Sequence, residues 1–421
     1  MKVFIEPTRL FGTVAAIPSK SAVHRLLMAA ALAYSPSQLP CPVISQDVEA
    51  TVRCLAALGA DVKIDSGVIA LSSPVTSGGE ALLDPGESGS TYRFLTPLAA
   101  ALGRTVRFRL HGKLPHRPME PLWDQMERHG VTIGGKGTNA PWLSGQLSPG
   151  EYRLRGDVSS QFFTGLLFAL PLLKGESRIV VEGPLESAGY IDMTLETLER
   201  FSLRIFRRGN CFVVPGGQRC TAPKKLYAEG DWSNAAFWLC AGAAGCDVAV
   251  TGLTFPSCQG DSAVMEFLRR FGARTFADGV IFRAAKGELR GTELNVSATP
   301  DLVPALAVTA AAALGTTRLT GAGRLRFKES DRIASVCQAL RALGGEVFSD
   351  HDSITVKGSG RLRGGTVDAC GDHRIAMMGA AASVLCREPV TVNGAEAVNK
   401  SYPTFFDDFA ALGGKIRKEG I

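Results

Sequence analysis

The sequence predicts an α/β protein made of six related units in two groups of three. Two observations support this prediction. An apolar, alanine-rich helix that follows a short polar turn recurs about every seventy residues. A second helix, which ends near a glycine and runs into a strand, keeps the same period. Six copies of one βα-type unit imply a pseudo-symmetric architecture.

The first repeated helix has a polar head and an apolar body. Its copies begin at Pro18 (PSKSAVHRLLMAAALA), Glu87 (ESGSTYRFLTPLAAAL), Gly156 (GDVSSQFFTGLLFAL), Gly230 (GDWSNAAFWLCAGAA), Thr299 (TPDLVPALAVTAAAALG) and Gly371 (GDHRIAMMGAAASVL). Small residues in the bodies permit close helix packing, so we expect the apolar faces to form domain cores. The heads differ from copy to copy. A helix start offers unpaired N–H groups and the positive end of the helix dipole, which attract anions.

The second element reads CLAALGADVKI, QMERHGVTI, LERFSLRIF, FLRRFGARTF, ALRALGGEVF and FAALGGKIRK. The turn-rich stretch that begins at Pro215 is the candidate crossing between the two groups. The last unit lacks a strand of its own, so we expect the opening residues to complete it. The sequence therefore predicts one domain of residues 14–226 and a second of residues 1–13 with 227–421, with the functional site in the cleft between them.

The composition disfavours several classes of protein. No apolar run is long enough to span a bilayer and no signal peptide is recognisable, so we expect a cytoplasmic protein with no membrane partner. The ten cysteines form no CxxC pair and the six histidines no HExxH motif, which favours buried thiols in a reducing compartment and no metal site. The net charge of +6 is modest and spread out, which disfavours a nucleic-acid partner and suits a pocket for small anions.

The first two heads carry residues that can bind anions. Lys20, Ser21 and Arg25 lie within two helical turns and can hold a phosphate or carboxylate, although a serine cap with solvated charges is the alternative. Gly89 lies between small polar residues, which lets a ligand approach the backbone, or it belongs to an ordinary helix-start turn. Arg117 stands in PHRP and is either pre-positioned for bidentate anion binding or simply an exposed loop arginine.

The third head offers two hydroxyls and an amide in succession, at Ser159, Ser160 and Gln161. Such a cluster suits a polyhydroxylated ligand, whereas helix capping needs only one of the three residues. Ser187, in the segment ESAGYID, extends the same chemistry more weakly.

The segment from Arg326 to Arg332 (RFKESDR) places five charges in seven residues just before an apolar helix. It is either a solvated helix face or a site that combines a proton-transferring carboxylate, Glu329, with cations on both sides. Arg374, in GDHR, lies at a further helix head, and Lys400 stands just before the final helix.

Taken together, SKSAVHR, SGSTYR, LPHRPMEPL, SSQFFTGLL, KESDRI, GDHRIAM and NKSYPTFFDDFAALG resemble the motifs of the 5-enolpyruvylshikimate-3-phosphate synthase family, in the same order and over essentially the whole chain. The resemblance implies two domains, each of three βαβαββ units that form an inside-out α/β barrel, and a monomer without metal or organic cofactor. It also implies transfer of the enolpyruvyl group of phosphoenolpyruvate to the 5-hydroxyl of shikimate 3-phosphate, by addition followed by elimination of phosphate, in aromatic amino acid biosynthesis.

The resemblance implies roles for the residues that match these motifs. Phosphoenolpyruvate would contact Lys20, Gly89, Arg117, Gln161, Arg332, Arg374 and Lys400. Shikimate 3-phosphate would contact Ser21, Arg25, Ser159, Ser160, Ser187, Asp301 and Lys328, while Lys20 and Gln161 would touch both substrates. Asp301, which the residues alone would suggest is a helix cap, would accept the proton of the attacking hydroxyl. Glu329 would protonate the methylene carbon, and Lys20 completes the catalytic set. Because the heads are divided between two domains, we expect a hinge closure on binding.

Four positions depart from the usual pattern of the family: Pro18 replaces a glycine, Glu87 and Arg324 each replace an asparagine, and Ser90 replaces a threonine. Arg324 adds a cation beside the KESDR segment and is a candidate substrate-binding residue. The extra carboxylate of Glu87 is expected to weaken anion binding unless it pairs with a neighbour.

Two alternatives remain at this point. The sister family that transfers enolpyruvyl to UDP-N-acetylglucosamine shares the fold, but it has Lys-Asn where this chain has Lys20-Ser21, and usually a reactive cysteine where this chain has HGKLPHRP. A non-catalytic repeat scaffold would leave the helix heads without a concerted set of cations and carboxylates.

Overall fold

The structure is a computed structural model that describes residues 1–223 and 225–420. The strands in this part of the chain are β1 (Lys2–Ile5), β2 (Phe11–Ala15), β3 (Ser37–Pro40), β4 (Asp61–Asp65), β5 (Val68–Ser73), β6 (Glu80–Gly86), β7 (Thr105–Leu110), β8 (Val131–Gly134), β9 (Trp142–Gly145), β10 (Glu151–Arg155), β11 (Ser177–Glu182), β12 (Phe206–Arg208), β13 (Cys211–Val214), β14 (Asp247–Thr251), β15 (Arg274–Ala277), β16 (Ile281–Ala285), β17 (Glu293–Asn295), β18 (Leu314–Thr320), β19 (Glu346–Ser349), β20 (Ser353–Ser359), β21 (Gly365–Asp368), β22 (Val390–Asn393) and β23 (Ile416–Glu419).

The α-helices are α1 (Lys20–Ala30), α2 (Gln46–Ala57), α3 (Gly89–Ala101), α4 (Glu120–Arg128), α5 (Ser160–Ala169), α6 (Ala188–Arg200), α7 (Trp232–Ala243), α8 (Val264–Phe271), α9 (Val303–Ala312), α10 (Arg332–Ala342), α11 (His373–Ala382) and α12 (Phe405–Ala411). Short 3₁₀ turns are formed by Leu114–His116, Leu170–Leu172, Gly260–Ala263, Pro300–Leu302, Gly323–Phe327, Ser383–Leu385 and Ala395–Lys400.

The chain divides into two units, one made of Met1–Ser19 with Glu229–Ile421 and the other of Lys20–Ala228. The sequence placed the first division between residues 13 and 14. Residues 14–19 instead stay with the first unit, because β2 pairs in parallel with β14 and Pro18 forms a bridge to Gly230.

One strand order recurs in both units. The elements β6, α3, β7, α4, β8 and β9 follow one another along the chain. Their strands form a sheet in the order β6-β7-β9-β8, in which β6 and β7 are parallel and the remaining pairs are antiparallel. The sheets β10-β11-β13-β12 and β17-β18-β20-β19 follow the same plan. Each is a βαβαββ unit, and the mixed α/β fold class predicted from the sequence is confirmed.

The N-terminal strands complete two sheets of the first unit. β1 lies between β22 and β23, antiparallel to both, and so supplies the strand that the last repeat lacks. β2 opens the sheet β15-β16-β14-β2. Among the described residues, the first repeat keeps only the three strands β3-β5-β4.

The alanine-rich helices lie inside the units and the sheets lie outside them. Every residue of α7, α9 and α11 is buried, and these three helices pack against one another. In the other unit α3 packs against α5. A helix that is buried on all sides has room for polar groups only at its ends, so the polar residues of these helices concentrate at their starts.

Two further observations concern the whole described chain. None of its helices is long and apolar enough to cross a membrane. The ten cysteines form no disulfide, and seven of them are buried.

Glycines allow the interior helices to approach their neighbours. A Cβ atom on Gly165 of α5 would lie 2.5 Å from the carbonyl oxygen of Arg93 in α3. A Cβ atom on Gly242 of α7 would lie even closer to the carbonyl oxygen of Ala284 in β16. Because the opposing atoms belong to the backbone, no side-chain rotation would relieve the overlap.

We predict that Gly165→Ala lowers the free energy of unfolding by about 1–3 kcal/mol through overpacking, although alanine is the better helix former. Gly379→Ala in α11 is the matched control, because the nearest atoms to its Cβ would be side-chain atoms of Val367 and Val392, at 3.2 Å. Urea midpoints measure both changes. Equal midpoints for the two variants would contradict the close packing of α3 and α5.

Candidate active site

Helix starts of the first unit bring several charged side chains together. Asp331 caps α10, where its Oδ1 accepts the N–H of Ala334 at 3.1 Å, and Arg332 is the first residue of that helix. Asp372 caps α11 by accepting the N–H of Arg374 at 3.0 Å. These caps fix the directions in which the side chains beside them leave the backbone.

Arg332 is the centre of this group. Its side chain is 1% exposed, and its guanidinium donates to Asp372 at 2.9 and 3.2 Å, to Asp301 at 2.7 Å and to Glu329 at 2.6 Å. Burial disfavours the charge, but the carboxylates of Asp372, Glu329 and Asp301 outweigh it and raise the pKa of Arg332 above its ordinary value. Arg332 and these three acids are called the Arg332 cluster below.

Asp301 is surrounded by cations. Besides Arg332, Lys328 donates to its Oδ1 at 3.4 Å, and Nη2 of Arg374 lies 3.5 Å from its Oδ2. Burial alone would raise the pKa of Asp301, but the positive charges of Arg374, Lys328 and Arg332 hold it well below its usual range. The side chain does not cap α9, which begins at Val303 without a side-chain cap.

A second buried carboxyl group belongs to Asp261. The hydroxyl of Ser233, in the first turn of α7, donates to its Oδ2, while its Oδ1 has no hydrogen-bond partner among the described residues. Burial, followed by the negative charge of Asp301, raises the pKa of Asp261 to about 7, against the opposing effect of Arg374. Two interacting carboxyl groups titrate apart, so Asp301 keeps its charge and Asp261 takes the proton.

In the other unit, the heads of α1 and α2 meet through an ion pair. Nζ of Lys20 lies 2.7 Å from Oδ2 of Asp47, in the first turn of α2, and both side chains are largely buried. The pairing holds the lysine in one direction, as a substrate-binding ammonium requires.

Arg25 is buried beside neutral oxygens. It donates to the carbonyl groups of Ser21 and Tyr190, each at 2.8 Å, and to the hydroxyls of Thr194 at 2.8 Å and Thr164 at 3.3 Å. No carboxylate of the described residues pairs with it. Burial lowers the pKa of Arg25 to about 10, so the group is still charged at neutral pH. A buried cation of this kind is stabilised by an anionic ligand.

Gln161 is held on both sides. Nη1 of Arg93 donates to its Oε1 at 2.8 Å, and its Nε2 donates to Oγ of Ser90 at 2.9 Å. Ser159 caps α5 and accepts the N–H of Gln161 at 3.3 Å. Arg93 also donates to the carbonyl of Pro118 at 2.8 Å, so it joins α3, α5 and the loop that carries Arg117.

The Arg117 guanidinium lies against the start of α3. A Cβ atom on Gly89 would be 2.6 Å from Nη1 of Arg117, so the guanidinium packs directly against this glycine. The Glu87 carboxylate lies over Gly112, where a Cβ atom would overlap it. Ser187 has φ +55° directly before α6, a left-handed conformation that costs on the order of 1–3 kcal/mol and is typical of functional sites.

The remaining candidates have defined positions as well. Ser160 is buried in the first turn of α5. Arg324 donates to the carbonyl of Ser297 at 2.7 Å, and Lys400 is buried in the turn Ala395–Lys400. Their contacts with substrate stay predictions.

The sequence reasoning did not assign several residues of these sites. Asp372 and Arg93 stand inside the motifs GDHRIAM and SGSTYR, so the motifs themselves held the signal. Asp47, Asp261 and Thr194 lie outside the charged heads, and neither spacing nor charge pattern distinguishes them.

We predict that Arg332→Met destabilises the protein by about 3–5 kcal/mol at pH 7, because it leaves buried carboxylates without their counter-charge. These carboxyl groups would then protonate more easily, so the difference from wild type should shrink as the pH falls from 7 to 5. Urea midpoints at both pH values measure this. A difference that does not depend on pH would contradict the role of Arg332 as counter-charge.

We predict that Asp261→Asn flattens the pH dependence of stability. The folded protein keeps the Asp261 proton up to about pH 7, whereas the unfolded chain loses it near about pH 4. Stability therefore falls as the pH rises between these values in the wild type. The asparagine does not titrate and keeps an oxygen for Ser233. Parallel stability curves for wild type and variant from pH 5 to pH 8 would contradict the prediction.

Comparisons with known proteins agree with the motifs. A family model described as EPSP synthase (3-phosphoshikimate 1-carboxyvinyltransferase) matches residues 5–409. The 3-phosphoshikimate 1-carboxyvinyltransferase of Clostridium kluyveri is 40% identical over 418 residues, which are 98% of each chain. That of Clostridium novyi is 37% identical over 98% of this chain and 97% of its own. An EPSP synthase structure from Acinetobacter baumannii, 26% identical, superimposes with a TM-score of 0.80 over 99% of this chain and 100% of that one. The chain therefore belongs to the EPSP synthase family.

Proposed function

We propose that this chain is a transferase that moves the enolpyruvyl group of phosphoenolpyruvate onto the 5-hydroxyl of shikimate 3-phosphate and releases phosphate. The observation that carries the proposal is the Arg332 cluster, in which one buried guanidinium holds both Asp301 and Glu329. Addition of the hydroxyl to the double bond of this enol phosphate needs a base for the attacking hydroxyl and an acid for the methylene carbon. In this proposal Asp301 is the base, and Glu329 is the acid once it has taken up a proton.

The cations around Asp301 suit substrates that carry phosphate and carboxylate groups. Lys328 and Arg374 both approach the Asp301 side chain, at 3.4 and 3.5 Å. Fixed positive groups stabilise the negative charge of the substrates and of the departing phosphate without reorganisation during the reaction. In this proposal Arg332, Arg374 and Lys400 bind phosphoenolpyruvate.

The same cations regulate the basicity of Asp301. In the structure they keep its pKa low, which makes it a weak base. When substrate anions engage Lys328 and Arg374, part of this positive charge is offset and the pKa of Asp301 rises. The carboxylate then becomes a better proton acceptor once both substrates are bound.

The second unit supplies the other contacts of the proposal. Arg25, with only neutral acceptors around its buried guanidinium, binds an anionic group of shikimate 3-phosphate. Ser21, Ser159, Ser160 and Ser187 provide hydroxyls or helix-start N–H groups for the same substrate.

Phosphoenolpyruvate takes its contacts in this unit from residues already held in place. Lys20 is fixed by its ion pair, and Gln161 by the Arg93 and Ser90 bonds. Arg117 lies against Gly89, next to the first N–H groups of α3. The proposal thus assigns substrate-binding residues to each of the two units.

We further propose that the enzyme acts as a cytoplasmic monomer. The ten cysteines, none of which forms a disulfide, fit a reducing compartment. Light scattering should then give the mass of a single chain, 44.6 kDa. A larger mass would contradict the monomer.

We predict that Asp301→Asn lowers kcat about 10²–10⁴-fold, the usual contribution of a general base, with phosphate release as the measurement. Asp331→Asn is the matched control in the neighbouring motif, because asparagine caps a helix about as well as aspartate and activity should stay near wild type.

Phosphate release only with UDP-N-acetylglucosamine as acceptor would favour the sister activity. No release with either acceptor would support the scaffold alternative.

A further inference from the structure

We propose that Thr194, supported by Thr164, is a positioning residue that orients the Arg25 guanidinium for shikimate 3-phosphate. The inference rests on the proposed function, because it concerns how one of the substrate-binding groups is held. In this proposal, two buried hydroxyl groups outside the charged heads hold the Arg25 guanidinium in one orientation.

The guanidinium of Arg25 has five N–H groups. Nε donates to Thr194, Nη2 donates to Tyr190 and Thr164, and Nη1 donates once, to the carbonyl of Ser21. The second N–H of Nη1 has no acceptor among the described residues. This remaining donor is the one available to an anionic ligand, and the other four set its direction.

Thr194 and Thr164 form a hydroxyl pair that has one consistent arrangement. Both are fully buried, their Oγ1 atoms lie 2.9 Å apart, and Thr194 donates to the carbonyl of Tyr190 at 3.0 Å. Since each hydroxyl has one proton, Thr164 then donates to Thr194. Both oxygens keep a lone pair for the guanidinium, and every hydroxyl proton is used.

Aromatic rings restrict the guanidinium further but do not fix its direction. The central carbon of the Arg25 guanidinium lies 5.3 Å from the ring centre of Phe94 and 5.9 Å from that of Tyr190. Cation–π attraction depends weakly on rotation within the guanidinium plane, so ring contacts leave that rotation open. The directional hydrogen bond from Nε of Arg25 to Thr194 prevents this rotation.

Thr197 offers a matched control on the same helix. It is buried, and its hydroxyl donates to the carbonyl of Met193 at 2.8 Å, one turn back. In the described structure it makes no hydrogen bond with Arg25. Thr194 makes the same type of bond, to the carbonyl of Tyr190, and in addition accepts a hydrogen bond from the Arg25 guanidinium. The bond to the guanidinium is therefore the difference between the two threonines.

The test compares Thr194→Val, Thr194→Ser and Thr197→Val by calorimetric titration with shikimate 3-phosphate, together with KM for phosphoenolpyruvate and the thermal midpoint. Loss of a hydrogen bond to a charged group should weaken shikimate 3-phosphate binding about tenfold or more in Thr194→Val. Thr194→Ser, which keeps the hydroxyl, should bind within about threefold of wild type. The KM for phosphoenolpyruvate should be the same in Thr194→Val and Thr197→Val, and the thermal midpoint of Thr194→Ser should stay close to that of wild type.

Three outcomes are distinguishable. Equal affinity in Thr194→Val and Thr197→Val, or failure of serine to restore it, would overturn the positioning role while the wild type still binds shikimate 3-phosphate. A wild type that does not bind shikimate 3-phosphate would overturn the proposed function instead. If Thr194→Val does not fold, Thr164→Val carries the test, with a smaller loss of affinity expected because its bond to Arg25 is the longer one.

Discussion

The first unit depends on the hydrogen bonds that the buried guanidinium of Arg332 makes to three carboxylates. Moving charges out of water costs several kcal/mol for each ion, and such a group is stable only when each carboxylate also receives a hydrogen bond. Arg332 meets this condition with Asp372, Asp301 and Glu329 at once. The starts of α10 and α11 and the turn before α9 are thereby fixed relative to one another, and the carboxylates of Asp301 and Glu329 lie on the same guanidinium.

Arg25, in the other unit, has the opposite electrostatic environment. Arg332 has its counter-charges within the protein, whereas Arg25 has only hydroxyl and carbonyl oxygens as acceptors. An arginine that pairs with carboxylates has its charge balanced within the protein, whereas a buried arginine with only neutral acceptors keeps a positive charge that an anionic ligand can balance. The charge balance of a buried arginine therefore indicates whether the protein alone supplies its counter-charge or leaves part of it to a ligand.

The sequence predicted the repeats because an interior helix must be apolar on every side, which leaves a recognisable pattern of alanine and leucine. It predicted the charged heads because polar groups at such a helix remain only at its start. It did not predict Asp47 as the partner of Lys20, because the two residues meet only through the packing of α1 on α2. The sequence did not indicate Thr194 either, because Thr194 and Thr197 each make the same type of bond, to a carbonyl one turn back. The first domain boundary was placed too early because the sequence does not show how far β2 follows β14.

Arg374, Lys328 and Arg332 keep the Asp301 carboxyl group ionised, because their positive charges hold its pKa well below its usual range. Carbon-13 NMR of the aspartate carboxyl groups, with the Asp301 signal assigned by its loss in Asp301→Asn, measures this directly. We expect the Asp301 signal to stay at its ionised position from pH 8 to pH 5. A protonation of Asp301 within that range would contradict it.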